Sequence, residues 1–413
     1  MFKLKSHLLA VVFLVTYSTT FGSPEIKNGF LNAQNVDLNK ERIALSGEWY
    51  FFENQLLMPS EIRHNGTGHT LFPKLWNEMR TPETGSGYAT YALFILAPDS
   101  IKSLAIEIPQ LYSSYSIWVD NSLIGSNGKV GRSASESIPQ WLPQTLTFPN
   151  TGDTLKLVIQ ISNFDHFKGG AKEPLYFGSA TLLSHKRSMV LAGGLIETIT
   201  LFSISLLFFI IYFSKEKKKV VMYFALLCLT WAIRVGFSNQ YLFIAYQPDF
   251  NWSLMVKIEY ITLFLTMIWA ILFLSRVFTK EENKIIKYLL VGSNILFISF
   301  TALAPPLYFT QWLPLYLSFC GFLLLYGGFI VLKAWINQRS GANYLTSSVL
   351  LGILIFTYDV FSYEGTFAYN AIIFSAANIV LFSLMGIALM LHINIIKTKN
   401  KSITKLTYND LYK

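Results

Sequence analysis

Seven apolar stretches of roughly helix-spanning length occupy the second half of this chain, at residues 189–213, 220–240, 253–277, 287–304, 312–333, 344–363 and 371–395. An apolar helix of about 20 residues crosses the ~30 Å hydrocarbon core of a bilayer. In lipid every backbone polar group must find its partner within the protein, so these stretches are expected to be helices. Composition agrees: 14% of the 413 residues are charged, against about 25% in ordinary globular domains.

The connections between the stretches set an orientation. Lys215, Lys217, Lys218 and Lys219 follow the first stretch, and Arg276, Lys280, Lys284 and Lys287 surround the end of the third. Lys333 and Arg339 follow the fifth, and Lys397, Lys399, Lys401, Lys405 and Lys413 follow the seventh. Residues 241–252, 305–311 and 364–370 contain no Lys or Arg. Such asymmetry predicts that the residues before the first helix lie outside and the carboxyl end inside. The net charge of +9 is therefore a topology signal; no basic stripe for a nucleic acid is visible.

The amino-terminal end agrees. Lys3 and Lys5 precede a short apolar run, Leu8 to Val15, and small residues then lead to Ser23. This reads as a signal peptide over residues 1–22. Residues 23–186 have a mixed composition, and the period-two strings Leu104-Ala-Ile106-Glu-Ile108 and Leu155-Lys-Leu157-Val-Ile159-Gln-Ile161 predict half-buried strands. Tyr115-Ser-Ile117-Trp-Val119 runs into a turn at Asp120-Asn121-Ser122. An antiparallel all-β sandwich, most simply a jelly roll, is expected here. The two cysteines, Cys228 and Cys320, both fall in apolar stretches, so the sandwich is held by its core.

Several strings resemble known proteins. Leu45-Ser-Gly47-Glu-Trp49-Tyr-Phe51, Gly87-Tyr88-Ala-Thr90-Tyr91, Trp118-Val-Asp120-Asn121 and Ile161-Ser162-Asn163-Phe164 with Gly169-Gly170 are similar, in this order, to the galactose-binding-like jelly roll that opens glycoside hydrolases of the β-galactosidase and β-glucuronidase kind. They are similar also to the sensor domain of bacterial seven-transmembrane receptors with diverse intracellular signalling modules. Ala192-Gly-Gly194, Tyr223-Phe-Ala225-Leu226 and Arg234 resemble the seven-helix module of the same receptors. The resemblance implies a receptor of the bacterial cytoplasmic (inner) membrane that senses a carbohydrate or another small molecule and signals inward. In that family the helices usually lead into a cyclase, kinase or phosphatase module. Residues 397–413 form only a short basic tail after the helical region 187–396, so a separate signalling protein is the expected partner.

Enzyme readings find little support. The hydrolases carry their catalytic carboxylates on a separate barrel, and no G-x-S-x-G elbow occurs. His64 and His69 have no third metal ligand at a useful spacing. No cofactor is expected, and a retinal Schiff base would need a lysine in the seventh stretch, which has none. A transporter or an accessory subunit capped by the β-domain is the alternative to a receptor.

Candidate ligand contacts are aromatic and polar residues on expected loops and strand ends: Trp76, Tyr88, Tyr112, Trp141, Asn163, His166 and Lys168. A second group is intramembrane charge, costly unless paired or wet. Glu197, Arg234, Lys257, Glu259, Asp359 and Glu364 all fall in the outer half of the bundle in the expected orientation. They are expected to form an ion-pair cluster beneath the β-domain.

Overall fold

The computed structural model describes residues 24–411, apart from 64–67, 82, 153 and 364–369. The expected signal peptide, His64, Glu364 and the side chains of the basic tail lie outside the described residues.

The first half is a β-sandwich. One sheet holds β4 (His69–Phe72), β3 (Gly47–Glu53), β5 (Gly87–Leu96), β11 (Thr154–Asn163), β8 (Ser114–Val119) and β9 (Ser122–Asn127) in that order, with β1 (Phe30–Asn32) also on β5. The second sheet runs β10 (Gln144–Pro149), β6 (Ser103–Ile108), β13 (Tyr176–Ser179) and β2 (Ile43–Ala44). A small ribbon pairs β12 (Gly170–Ala171) with β7 (Leu111–Tyr112). Among the described residues every pairing between these strands is antiparallel except β1 with β5.

The period-two strings become the inner faces. Leu155, Leu157, Ile159 and Ile161 of β11 share one buried core with Leu104, Ile106 and Ile108 of β6. Trp49 and Tyr91 also lie there, whereas Trp118 packs on the opposite face of the larger sheet with Tyr50, Phe94 and Val158. Asp120 turns the β8–β9 hairpin at φ 55°, in the left-handed region that Asp tolerates better than most residues. Its carboxylate accepts from the Lys156 amide at 2.9 Å, which ties the turn to β11.

The second half is helical: α1 (Ala180–Ile211), α2 (Lys219–Phe237), α3 (Trp252–Val277), α4 (Lys284–Leu303), α5 (Leu313–Ile336), α6 (Ala342–Tyr363) and α7 (Ala371–Leu411). Among the described residues seven helices are long and apolar enough to cross a membrane, and the protein is a multi-pass membrane protein. On α1 the residues Gly194, Glu197, Leu201, Ser205 and Phe208 are buried, while Ile196, Ile199, Phe202 and Leu206 are exposed. The buried set recurs every three to four residues, so one stripe faces the bundle and the rest is left for lipid.

No loop separates the two halves. β13 ends at Ser179, whose hydroxyl caps α1 by accepting from the Leu182 amide at 3.3 Å. The helix thus starts before the first apolar stretch, because Ser184, His185, Lys186 and Arg187 are too polar to read as membrane-embedded.

Candidate functional site

Three loops of the sandwich converge on the top of the bundle. The first follows β11, where Asn163 is fully buried. Its amide nitrogen lies 2.8, 2.7 and 2.9 Å from the carbonyls of Gly85, His166 and Lys168. Its oxygen accepts from the His166 amide at 3.1 Å. Asn163 is thus a clamp that shapes its own loop. Within that loop His166 Nδ1 accepts from the Lys168 amide at 3.0 Å. The second loop, between β9 and β10, carries Trp141. Gln140 donates its amide to Ser113 O at 3.1 Å, and Ser137 reaches the buried Ser162 hydroxyl at 3.0 Å. β7 supplies Tyr112.

These rings meet. Tyr112 stacks on His166 with centroids 4.7 Å apart, and Trp141 sits edge-on to both, at 5.6 and 5.1 Å. Trp141 also packs on Tyr241 and Trp252, at 6.0 and 5.2 Å. Tyr241 lies between α2 and α3, and Trp252 opens α3. The result is one hydrophobic core shared by sandwich and bundle. Polar contacts surround it. Gln140 donates to Pro248 O and Phe250 O at 2.7 and 3.1 Å. Tyr241 donates to Gln110 at 3.0 Å, and the Phe167 amide to Thr310 at 3.2 Å. Arg187 binds Gln240 and donates to Pro143 O at 2.8 Å. Burial holds the His166 imidazole down to about 3, the Lys168 backbone bond opposing and the Lys168 charge adding to that effect. The ring is neutral at physiological pH.

The expected ligand contacts therefore separate. Tyr112, Trp141 and His166 come together, with Trp141 only 3% exposed. Trp76 is elsewhere: it is 0% exposed in the sandwich core and donates to the Tyr91 hydroxyl at 2.7 Å. Its short turn, Trp76–Glu78, folds the ring inward, which a loop-like sequence hides. Tyr88 stands half-buried on β5, and Lys168 is half-buried in the Asn163 loop.

The charges separate too. Arg234 lies in the last turn of α2 and donates to the Glu259 carbonyl at 2.6 Å. Its charge acts on the carboxylates of Glu259 and Asp359, and Lys172 of the sandwich also acts on Asp359. Glu259 accepts from Tyr241 at 3.4 Å. Glu197 accepts from Trp231 and Asn378, each at 3.0 Å. Lys257 leaves this group: it donates to Ala302 O at 2.9 Å, and its long side chain runs toward the end of α4. Trp231 and Asn378 were not anticipated. Asn378, three residues after Ser375 in an otherwise apolar span, was the available signal.

Both sets of residues line one cavity of about 1000 Å³. Tyr112, Trp141 and His166 are in its wall, as are Glu197, Arg234, Glu259 and Asp359. Above this charged collar a vestibule is lined by Arg42, Lys172, Lys186 and Arg187, with Glu107 and Glu173. Below it the wall is almost wholly apolar, with Leu263, Met267 and Leu274 of α3 and Leu381, Phe382 and Met385 of α7 among its residues.

Residues 192–394 match the family described as 7TM diverse intracellular signalling. No curated protein matches the chain. Among solved structures, it is similar to a GH2 beta-galacturonidase from Eisenbergiella tayi bound to galacturonate, at 13% identity over 34% of this chain and 24% of that one, TM-score 0.25. It is also similar to the beta-glucuronidase of Parabacteroides merdae, at 11% identity over 33% and 21%, TM-score 0.27. A third is the Faecalibacterium prausnitzii beta-glucuronidase, at 12% identity over 34% and 31%, TM-score 0.26. The chain thus spans less than a third of each of these proteins, and likeness at that level carries no argument about activity or ligand.

Proposed function

We infer the function from one premise: the seven-helix part of this chain belongs to the 7TM diverse intracellular signalling family. That membership gives a transmembrane signalling role. We propose that the chain is a receptor of the bacterial cytoplasmic membrane, with the sandwich outside and the carboxyl end inside. The alternation of basic and uncharged connections supports this orientation. A small ligand enters the cavity between sandwich and bundle, shifts how they dock, and biases a two-state arrangement of helices. A separate protein inside the cell reads that change. The chain acts by binding, without catalysis of its own.

The observation that carries this reading is the shared cavity, whose wall is made by both halves. A ligand there touches the sandwich and the collar at once, so it has a means of preferring one docking over another. The aromatic contacts expected for a carbohydrate do not form one platform: Trp76 is closed into the sandwich core and Tyr88 stands on β5, while Tyr112 and Trp141 are in the cavity wall. A transporter is disfavoured by the apolar lower wall.

The test needs no ligand. Trp141→Ala loosens the junction directly. In full-length protein in nanodiscs, amide exchange should then change both at the junction and at the far connections around Asn283 and Gln338. A change confined to the junction would overturn the coupling.

A further inference from the structure

We propose that the junction cavity takes an amphiphile with one long apolar chain and an anionic headgroup, the chain in the shaft and the head in the vestibule. This rests on the receptor reading and names the class of its ligand.

The wall is graded along its length. On α3 its residues run from Glu259 to Leu274 through Leu263, Met267 and Ile271, one or two per turn. Fifteen residues of helix are about 22 Å, the reach of an extended long-chain acyl group. Below the collar the polar side chains in the wall have partners within the protein. Thr266 donates to Thr262 O at 2.8 Å, Ser348 to Leu381 O at 3.4 Å, and Tyr326 to Asn283 O at 3.0 Å. A buried water needs two to four polar partners, and here the donors of these hydroxyls are already taken, so the shaft offers water only scattered lone pairs. An apolar chain needs only contact, and burying it is favourable per methylene.

The upper end asks for the opposite chemistry. Four cations, Arg42, Lys172, Lys186 and Arg187, line the vestibule against two carboxylates, Glu107 and Glu173. Arg42 pairs with Glu107. Within the vestibule itself four cations face two carboxylates, which suits an anionic head at that level, while the collar beneath it sets Arg234 against Glu197, Glu259 and Asp359. In the collar the Glu197 and Glu259 side chains are engaged by Trp231, Asn378 and Tyr241. A purely polar ligand would satisfy the vestibule and leave the shaft empty. A neutral hydrocarbon would do the reverse. An anionic amphiphile satisfies both ends.

The test uses full-length protein in phosphatidylcholine nanodiscs, with octanoate, dodecanoate, hexadecanoate and hexadecanoyl lysophosphatidylglycerol as probes. Thermal unfolding should shift upward with chain length, and native mass spectrometry should find one probe per chain. The lysolipid arm separates a phosphate head from a carboxylate head. Two filling variants on different walls, Ala270→Leu and Gly352→Leu, should weaken hexadecanoate about tenfold while sparing octanoate. Lys186→Glu, at the vestibule and away from the packed shaft, should weaken all the anionic probes and keeps the test open if a filling variant fails to fold. A shift independent of chain length, or one unchanged in all three variants, overturns the proposal. If the probes fail while Trp141→Ala still alters exchange at the far connections, the ligand class falls and the receptor stands. If they bind and that exchange is unaltered, the site stands without the receptor.

Discussion

His166 is the residue whose chemistry is most altered by the fold. Unfolded, its imidazole takes a proton near pH 6.5; folded, only near 3. Between those values the unfolded chain binds more protons, so stability is full above pH 6.5 and falls as the pH drops toward 3. The slope attributable to this side chain is at most about 1.4 kcal/mol per pH unit. Thermal melts of the full-length protein from pH 7.5 to 4.5 should show a shallower acid loss in His166→Gln than in the natural protein. Glu197 makes the matching case in the bundle. Glu197→Ala strands the Trp231 and Asn378 donors at about 1–3 kcal/mol, whereas Glu197→Gln keeps an acceptor. Melting points should fall in that order, alanine lowest. At this scale the sequence was partly readable. A ring on a Pro-bounded loop, Trp141, and a histidine beside a Gly-Gly pair, His166, do reach the junction. Trp76 had a similar signature and went inward, because nothing in Lys74-Leu-Trp76-Asn tells which way a single short turn will fold.

Among the elements, the long helices were the most legible. Lipid permits one backbone solution, and a 20-residue apolar run has few alternatives. Their ends were less so. α1 begins at Ala180 and not at 189, since its first turns stand beside the sandwich, where polar side chains are tolerated. Ser179→Ala should remove the cap and cost about 1 kcal/mol, measurable as a lower midpoint in thermal unfolding. The strands β6, β8 and β11 followed from alternation. The two-residue strands β2, β7 and β12 did not, because two residues are too few to show a period. Yet β7 is the element that places Tyr112 in the junction wall.

For the whole molecule, the order of parts was evident and their docking was not. Hydropathy separates sandwich from bundle, but no pattern links Trp141 to Tyr241 and Trp252, which are 100 and more residues away. Their contact depends on three loops arriving together. The proposed orientation is open to a direct check. Ser122→Cys on the sandwich should react with a membrane-impermeant maleimide in intact cells, and Gln338→Cys only after permeabilisation. Cys228 and Cys320 are buried, so background labelling should be small. Reversed accessibility would require the opposite topology.

The strand-to-helix passage at Ser179 and Ala180 acts mechanically as a lever with no bearing. At 32 residues, α1 is about 48 Å long. A tilt of roughly 5° imposed where the sandwich grips its first turns would displace the opposite end by about 4 Å on the same 1.5 Å rise per residue. A small rocking of one sheet edge is thereby magnified across the bilayer by geometry alone. Inserting two glycines between Ser179 and Ala180 would put slack into that lever.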